Sequence, residues 1–162
     1  MCRCFTILIG CMVLAGCSKP GTEYPAIGQP ALKLEIMPAS TQEIAGWQPS
    51  KSADGKEPLF LAPKAELSNT DVVSSGVKKD ETGMWQIVLR FTDAGKAKFA
   101  EITTANIVDP AKPSTKRLAI VVDGKVVADP IVISAITDGV AYIAGRFDEA
   151  EARRIAIGVV AP

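Results

Sequence analysis

The stretch that decides the fold spans residues 117–162 and reads RLAIVVDGKVVADPIVISAITDGVAYIAGRFDEAEARRIAIGVVAP. Two Asp-Gly pairs, Asp123-Gly124 and Asp138-Gly139, each separate two apolar runs. These runs are residues 118–122, 125–128, 131–137 and 140–144. Because an Asp-Gly pair readily takes the positive φ angles of a two-residue hairpin turn, each pair predicts a β-hairpin. The stretch therefore predicts a meander of antiparallel strands.

A helix with a clear N-terminal signal follows these strands. Asp148 can cap it, and Glu151 at the third helical position can complete a capping box. Phe147, just before the cap, can pack against Ala152 as a hydrophobic staple. Apolar residues then recur at helical spacing, at Ala152, Ile155, Ala156 and Val159. One apolar face of this helix must therefore cover the sheet.

Residues upstream of this stretch predict further strands. Leu32, Leu34 and Ile36 alternate with charged residues, which is typical of a strand with one buried face. In the segment before residue 92, Trp85, Ile87, Leu89 and Phe91 alternate in the same way. The predicted strands are residues 32–36, 59–61, 72–78 and 84–91, with a hairpin connection at 79–83 and a polar loop at 48–58.

A second helix is predicted after residue 91. Thr92 can cap it, and Gly95, Phe99 and Ile102 lie on one side at helical spacing. The order of elements is strand, hairpin, helix, hairpins and helix. We therefore predict an α+β fold, with an antiparallel sheet built from hairpins and two helices packed on one of its faces.

Several separated motifs resemble the head subdomain of the first large periplasmic domain of the protein translocase subunit SecD. They are LAIVVDGKVVADP from Leu118, ITDGVAYIAGRFD from Ile136, EARRIAI from Glu151, PLFL from Pro58, LSNTDVVS from Leu67 and LRFTDAGKAKFAEITTAN from Leu89. The resemblance covers roughly residues 58–162 and implies the family's fold. The SecD head is thought to engage polypeptide that emerges from the translocon. The resemblance therefore implies a polypeptide-binding domain that is accessory to protein export.

The composition excludes several classes of function. The chain has 18 basic and 18 acidic residues, so it lacks the positive field that attracts nucleic acid. It has no histidine, which removes Ser-His and Cys-His nucleophile pairs and the commonest metal ligand. Neither a phosphate-binding glycine loop nor a Cys or His metal spacing is present in the sequence. We expect no nucleic-acid partner, no cofactor, no metal site and no catalytic residue.

Paired carboxylates are the remaining route to catalysis, because two of them suffice for acid-base chemistry. The candidate acids lie in turns, at a helix start or beside prolines, where each has a local structural role. They are Asp109, Asp123, Asp129, Asp138, Asp148 and Glu151. We favour these structural roles and predict that the protein is not an enzyme; a carboxylate-pair enzyme is the third hypothesis.

Other polar and aromatic residues have simple structural interpretations. Trp85 on an alternating strand predicts a core residue, and the pair Lys78-Lys79 beside Asp80-Glu81 predicts a solvated hairpin tip. Tyr142 can face outward from the sheet but cannot be ranked as a ligand by its sequence position. An exposed strand edge can add an extended peptide through backbone hydrogen bonds alone, which requires no special side chain.

The N-terminus predicts a bacterial lipoprotein signal. Residues 5–14 form an apolar core that is shorter than the roughly 20 residues needed to span a bilayer. Leu14-Ala15-Gly16-Cys17 resembles a lipobox, which implies that the Cys17 thiol receives a diacylglyceryl group and that palmitate-like acyl chains hold the protein on a membrane. The similar pattern ending at Cys11 follows too short an apolar stretch. A plain secretory signal or an uncleaved anchor is the alternative.

The predicted organisation places a tethered domain in the cell envelope. It comprises a signal peptide (1–16), a lipidated N-terminus and flexible tether (17–31), an N-terminal strand and loop (32–57) and the α+β domain (58–162). The anchored chain would face the periplasm, and Ser18-Lys19 without an aspartate resembles lipoproteins sent on to the outer membrane. The expected partner is an unfolded polypeptide or an envelope protein. The alternative is a structural or assembly lipoprotein of an envelope complex with no secretion role.

Overall fold

The computed structural model describes residues 31–111 and 115–160, and in this part it has the predicted α+β class. The strands are β1 (Leu34–Ser40), β2 (Gln48–Lys51), β3 (Pro58–Leu61), β4 (Leu67–Ser68), β5 (Val72–Lys79), β6 (Trp85–Phe91), β7 (Lys116–Val122), β8 (Lys125–Ala128) and β9 (Val140–Ala144). The helices are α1 (Asp93–Ala105) and α2 (Glu149–Gly158), and a 3-10 turn spans Asn69–Asp71.

The strands form two antiparallel sheets rather than the single sheet that the sequence predicts. The large sheet has the order β2-β3-β1-β7-β8, with the two-residue β4 also paired to β1. Its centre is the β1–β7 ladder, which runs from the pair Leu34–Val122 to the pair Ser40–Lys116. The small sheet has the order β5-β6-β9. In both sheets, neighbouring strands therefore pair in a well-defined register.

One hydrophobic core joins the two sheets and both helices. Alternate residues of β1, including Leu34 and Ile36, share a buried cluster with Ile87 of β6, Phe99 of α1 and Ile155 of α2. The opposite face of the large sheet buries a smaller cluster. It contains Met37, Ala39, Leu59, Leu61, Ala119, Val121 and Val126. The large sheet is thus apolar on both faces, whereas the small sheet turns only one face to the core.

The turn and cap signals of the sequence are confirmed at three places. Asp123 and Gly124 have φ angles of 48° and 76° and connect β7 to β8. The Thr92 hydroxyl accepts a hydrogen bond from the Gly95 N–H at 2.9 Å at the start of α1. Asp148 Oδ1 accepts from the Glu151 N–H at 2.7 Å at the start of α2. These local signals fixed the ends of the elements because each satisfies free backbone groups.

The second predicted hairpin is wrong. Residues 131–137 form no strand, and β9 pairs instead with β6, from Gln86–Ala144 to Arg90–Val140. The intervening segment finds other partners, because Val132 bridges Ile107 and the Ile136 N–H donates to the Thr103 hydroxyl. The turn at Gly139 forms with a φ of 79°, but the two apolar runs on either side of it do not pair with each other.

Residues 48–58 also differ from the prediction of a polar loop. Gln48–Lys51 is the edge strand β2, which pairs with β3. All four of its residues are polar or proline and none is buried, so this strand has no alternation of apolar residues to reveal it. The strand therefore depends on β3 for its existence rather than on its own pattern.

Gly95 provides a test of the packing between α1 and the 3-10 turn. Alanine in a helix is normally about 1 kcal/mol more favourable than glycine. Here an added methyl group would collide with the Asp71 carbonyl oxygen and lie 2.9 Å from the Asp71 Cβ. Asp71 cannot easily move, because its carboxylate binds Lys98 Nζ at 2.7 Å and accepts from the Ser68 N–H. We expect Gly95→Ala to lower the free energy of unfolding by about 1–3 kcal/mol.

Urea unfolding followed by circular dichroism measures this effect. Gly76→Ala is the matched control, because no atom outside Gly76 and its two chain neighbours lies within 4 Å of a methyl group added at Gly76. The control should be neutral or slightly stabilising, since it also restricts the unfolded chain. A Gly95→Ala protein as stable as the native one would show that this contact is not tight.

Candidate binding cleft beside an open sheet edge

Strand β9 forms an edge of the small sheet and lacks the features that usually protect such edges. Natural edge strands are blocked by proline, lysine, bulges or short length, because free backbone groups otherwise recruit other strands. Within the described residues, β2 contains Pro49 and Lys51, and β8 begins with Lys125. β5 has an irregular register at Val73 and ends in two lysines. β9 reads VAYIA, with no proline, charge or bulge.

The register of β9 determines which backbone groups face outward. The Phe91 N–H donates to the Gly139 carbonyl, so this pair is hydrogen-bonded across the ladder. Antiparallel pairs alternate between hydrogen-bonded and non-hydrogen-bonded, which makes Tyr142 and Ala144 members of non-hydrogen-bonded pairs with β6. Their N–H and C=O groups therefore point away from β6, toward the open edge. At Val140 the outward N–H is already bound, because it donates to Asp138 Oδ1.

An apolar cleft lies between β9 and the segment that the sequence assigns to its hairpin partner. Its volume is 180 Å³. Residues 130–134 and Ile136 line one side, and Ala141, Tyr142 and Ile143 line the other. Side chains of α1 and the large sheet, including Phe99 and Ile120, complete it. A dry cavity of about 150 Å³ can hold a benzene-sized group, so this cleft has room for a large apolar side chain.

Large apolar residues at the mouth of the cleft are exposed to solvent. Ile131 is 47% exposed, Ile133 is 67% exposed and Tyr142 is 55% exposed. Single exposed apolar residues are common on proteins, but a group of them beside an apolar cavity is a candidate binding surface. The sequence allowed Tyr142 to face outward from the sheet, and the structure places its side chain there. It did not identify Ile131 and Ile133, which were assigned to a paired strand.

The side of the small sheet that faces away from the core, here called the outer face, carries basic residues. It consists of Ser74, Gly76, Lys78, Gln86, Val88, Arg90, Val140, Tyr142 and Ala144, and none of these is buried. Lys78 Nζ lies 4.0 Å from the centroid of the Tyr142 ring. The sequence predicted Lys78 and Lys79 to be a solvated hairpin tip. Both lysines are exposed at the end of β5, in agreement with this prediction. Lys78 also contacts Tyr142, and Lys79 Nζ lies 4.9 Å from the centroid of the Trp85 ring, which is half-buried against the core.

A second cavity of 410 Å³ begins where β9 ends, and most of the residues that line it are polar. It lies between residues 52–57, the end of β8 and residues 144–146. Its walls contain three basic and three acidic residues. They are Lys56, Arg117, Arg146, Asp54, Glu57 and Asp129. The Lys56 N–H and the Ser52 hydroxyl donate to Asp54, and these bonds lower the pKa of that carboxyl group. The mixed charges give this cavity no clear preference for one sign of ligand.

The five candidate aspartates all take part in structural hydrogen bonds. Each accepts a hydrogen bond from a backbone N–H, which accounts for its position. The donors are Ala111 for Asp109, Lys33 for Asp123, Ala53 for Asp129, Val140 for Asp138 and Glu151 for Asp148. The described residues contain no group of three acidic, Cys or His side chains arranged to hold a metal ion. Cys17 lies outside the described residues.

Comparison with known proteins identifies the class to which this two-sheet α+β domain belongs. A family model described as the SecDF P1 head subdomain matches residues 43–161. The chain therefore belongs to the SecDF P1 head subdomain family.

Its relatives are much longer translocase subunits. The protein translocase subunit SecD of Streptomyces coelicolor is 34% identical over 108 residues, which is 65% of this chain and 19% of that protein. SecDF of Thermus thermophilus is 40% identical over 101 residues, 62% of this chain and 13% of that protein. SecD of Dictyoglomus turgidum is 31% identical over 147 residues, 88% of this chain and 31% of that protein. The chain thus spans less than a third of the length of these relatives.

Solved structures of SecDF share the fold. A crystal structure of SecDF in a super-membrane-facing form has a TM-score of 0.61 and 27% identity, covering 80% of this chain and 19% of that chain. A structure of SecDF, a membrane component that enhances protein export, has a TM-score of 0.60 and 28% identity, covering 82% of this chain and 63% of that one. Within the part of this chain that the structure describes, no helix is long and apolar enough to cross a membrane.

The hydrogen bonds that Asp54 accepts at the polar cavity can be tested by titration of its carboxyl group. Because hydrogen bonds lower its pKa from 3.8, this carboxylate favours the folded state above pH 3.8 and loses that contribution as the pH falls through its folded pKa. We expect NMR titration of the Asp54 carboxyl carbon to give a midpoint below 3.8. Ser52→Ala removes one donor and should raise this midpoint. An unchanged midpoint in Ser52→Ala would show that the hydroxyl does not bind Asp54.

Proposed function

We propose that this protein binds extended segments of other polypeptides along β9 and acts as an accessory to protein export in the bacterial envelope. The bound segment adds a strand to the small sheet, and one of its large apolar side chains occupies the cleft. Such strand addition obtains affinity from backbone hydrogen bonds and selectivity from alternate side chains. The proposed activity is binding rather than catalysis.

The open edge of β9 beside an apolar cleft is the observation that carries this proposal. The outward N–H and C=O groups of Tyr142 and Ala144 can pair with any sequence, because all non-proline residues have the same backbone groups. The cleft adds a requirement for apolar character, which buried segments of folded proteins expose only while they are unfolded. A domain that binds many different exported chains must accept many sequences and still prefer apolar segments. The export role itself rests on membership of the SecDF P1 head family.

We also propose that the chain is anchored through a lipid on Cys17 and faces the periplasm. The lipobox-like residues 14–17 and the polar, proline-containing residues 18–30 support an anchor followed by a tether. The serine and lysine after Cys17 favour delivery to the outer membrane. An anchored domain of this kind would hold β9 at a distance from the membrane surface, where extended chains pass.

Proline at position 142 tests the use of the β9 edge. The Tyr142 N–H points to the open edge, so Tyr142→Pro removes an outward donor without removing a bond to β6. We expect the variant to bind a fluorescein-labelled nine-residue peptide of alternating valine and serine about tenfold more weakly, because it loses one hydrogen bond and its ring obstructs pairing. Fluorescence anisotropy with the full-length chain in a mild detergent measures this affinity.

Tyr142→Val is the matched control, since it also removes the aromatic ring but keeps the N–H group. It should bind the peptide much more tightly than Tyr142→Pro does. Unfolding curves of both variants establish that the fold is retained. Equal affinities of the two variants would contradict strand addition at β9.

Replacement of two cysteines tests the anchor. We expect Cys17→Ala, expressed in a Gram-negative host, to lose labelling by radioactive palmitate and to leave the membrane fraction. Cys11→Ala is the matched control, because Cys11 ends the similar pattern with the shorter apolar stretch, and it should retain the label. Fractionation of the native protein then distinguishes the outer from the inner membrane. Labelling that persists in Cys17→Ala would contradict this assignment.

Crosslinking in intact cells separates the leading function from its alternative. If the domain handles exported chains, mass spectrometry of the crosslinked products should identify many unrelated secretory proteins. A single abundant envelope protein would instead support a structural or assembly subunit of an envelope complex. Tyr142→Pro should reduce crosslinking to secretory proteins and serves as the internal control.

A further inference from the structure

The outer face of the small sheet has a one-sided charge. Among the nine residues that define it, Lys78 and Arg90 are basic and none is acidic. Arg90 is exposed, and within the described part of the chain it makes no hydrogen bond or ion pair. Lys78 is also exposed, and among the hydrogen bonds, ion pairs and ring contacts of the described residues its side chain takes part only in the contact with the Tyr142 ring. This excess of positive charge contrasts with the whole chain, which has equal numbers of acidic and basic residues.

The two basic residues lie on the other two strands of the small sheet, Arg90 on β6 and Lys78 on β5. Arg90 pairs with Val140, and Lys78 pairs with Gln86, which pairs with Ala144. The Lys78 side chain bends back across β6 to reach the Tyr142 ring at 4.0 Å. An outward side chain on a strand added beside Tyr142 would therefore lie near the Lys78 ammonium, with Arg90 on the side of Val140.

Two carboxylates close to these strands in sequence, Asp138 and Asp80, lie in turns and not on the outer face. Asp138, just before β9, accepts the Val140 N–H at 3.0 Å. Asp80, beyond the end of β5, accepts the N–H groups of Thr82 and Met84 and the Thr82 hydroxyl. Both carboxylates are thus fixed in turns beyond the ends of the three strands.

The alternation of side chains determines what a bound segment presents to each face. Residues opposite Ala141 and Ile143 would point toward the cleft, because these two residues line it. The residue between them would point to the outer face beside Tyr142. A segment paired with β9 thus needs apolar side chains at two alternate positions and has a polar position between them.

We propose that the β9 edge prefers segments in which apolar and acidic residues alternate, with the apolar side chains directed toward the cleft and an acidic side chain beside Tyr142, within the field of Lys78 and Arg90. This inference rests on the proposed function and specifies its class of substrate. The charge complementarity also disfavours basic residues at the outward position, since like charges on adjacent strands repel.

Three labelled nine-residue peptides test this preference. In each, valine alternates with aspartate, serine or lysine, so that the inward residues are the same. We expect the full-length chain in mild detergent to bind the aspartate peptide about tenfold more tightly than the lysine peptide at low salt, with the serine peptide between them. The difference should shrink at 1 M salt, where the Debye length is about 3 Å. Fluorescence anisotropy measures all three affinities.

A pair of double variants identifies the source of the preference. Lys78→Gln with Arg90→Gln should weaken binding of the aspartate peptide about threefold or more and leave the serine peptide unchanged. Lys64→Gln with Lys125→Gln is the matched control, because it removes the same charge from exposed residues associated with the large sheet, and it should have little effect. Equal weakening by both double variants would overturn the assignment to the outer face.

The outcomes separate this inference from the function on which it rests. If the three peptides bind with equal affinity, the charge preference is wrong and strand addition stands. If none of them binds, both the preference and the proposed function are wrong. If the lysine peptide binds best, the field of Lys78 and Arg90 does not reach the bound segment, and the inference is overturned.

Discussion

The antiparallel ladder between β6 and β9 is the constraint on which the binding surface depends. It pairs residues about 50 positions apart in the chain, so its formation must overcome a large loop-closure entropy. Burial of Ile87 and Leu89 from β6 with Ala141 and Ile143 from β9 offsets this cost. The same register turns Tyr142 outward and directs its backbone groups to the open edge. One pairing therefore closes the core and creates the candidate site.

The ladder also explains why a cleft exists at all. In a simple hairpin, residues 131–137 would pair with β9 and satisfy its second edge. Here Val132 and Ile136 are held instead by Ile107 and Thr103, near the end of α1. The displaced segment stays close enough to form a wall but does not form a strand. The cleft is thus the space between two runs that the Asp138-Gly139 turn connects.

An unprotected edge strand is a risk of aggregation, and the other edges of this domain show how such a risk is normally reduced. Proline in β2, lysines in β5 and β8, and an irregular register in β5 each discourage further pairing. β9 lacks these features, as the proposed strand addition requires. In the proposed binding mode, the positive outer face would provide a second level of control, because it would repel some segments that the backbone alone would accept.

Local signals in the sequence determined most of the elements. The alternation of Trp85, Ile87 and Leu89 gave β6, and the caps at Thr92 and Asp148 gave the starts of both helices, because these features satisfy backbone groups or bury side chains within a few residues. The Asp123-Gly124 hairpin formed for the same reason. The motifs of residues 58–162 also indicated the family correctly.

Tertiary structure alone decided the division into two sheets, the partner of β9 and the position of the cleft. An apolar run such as residues 131–137 is compatible with a strand. Its partners lie in α1 and the large sheet, and no local sequence pattern identifies these partners. Likewise β2 has no apolar alternation and forms because β3 offers it a free edge. The binding surface arises where long-range packing overrides the local hairpin signal, and for that physical reason it was visible only in the folded chain.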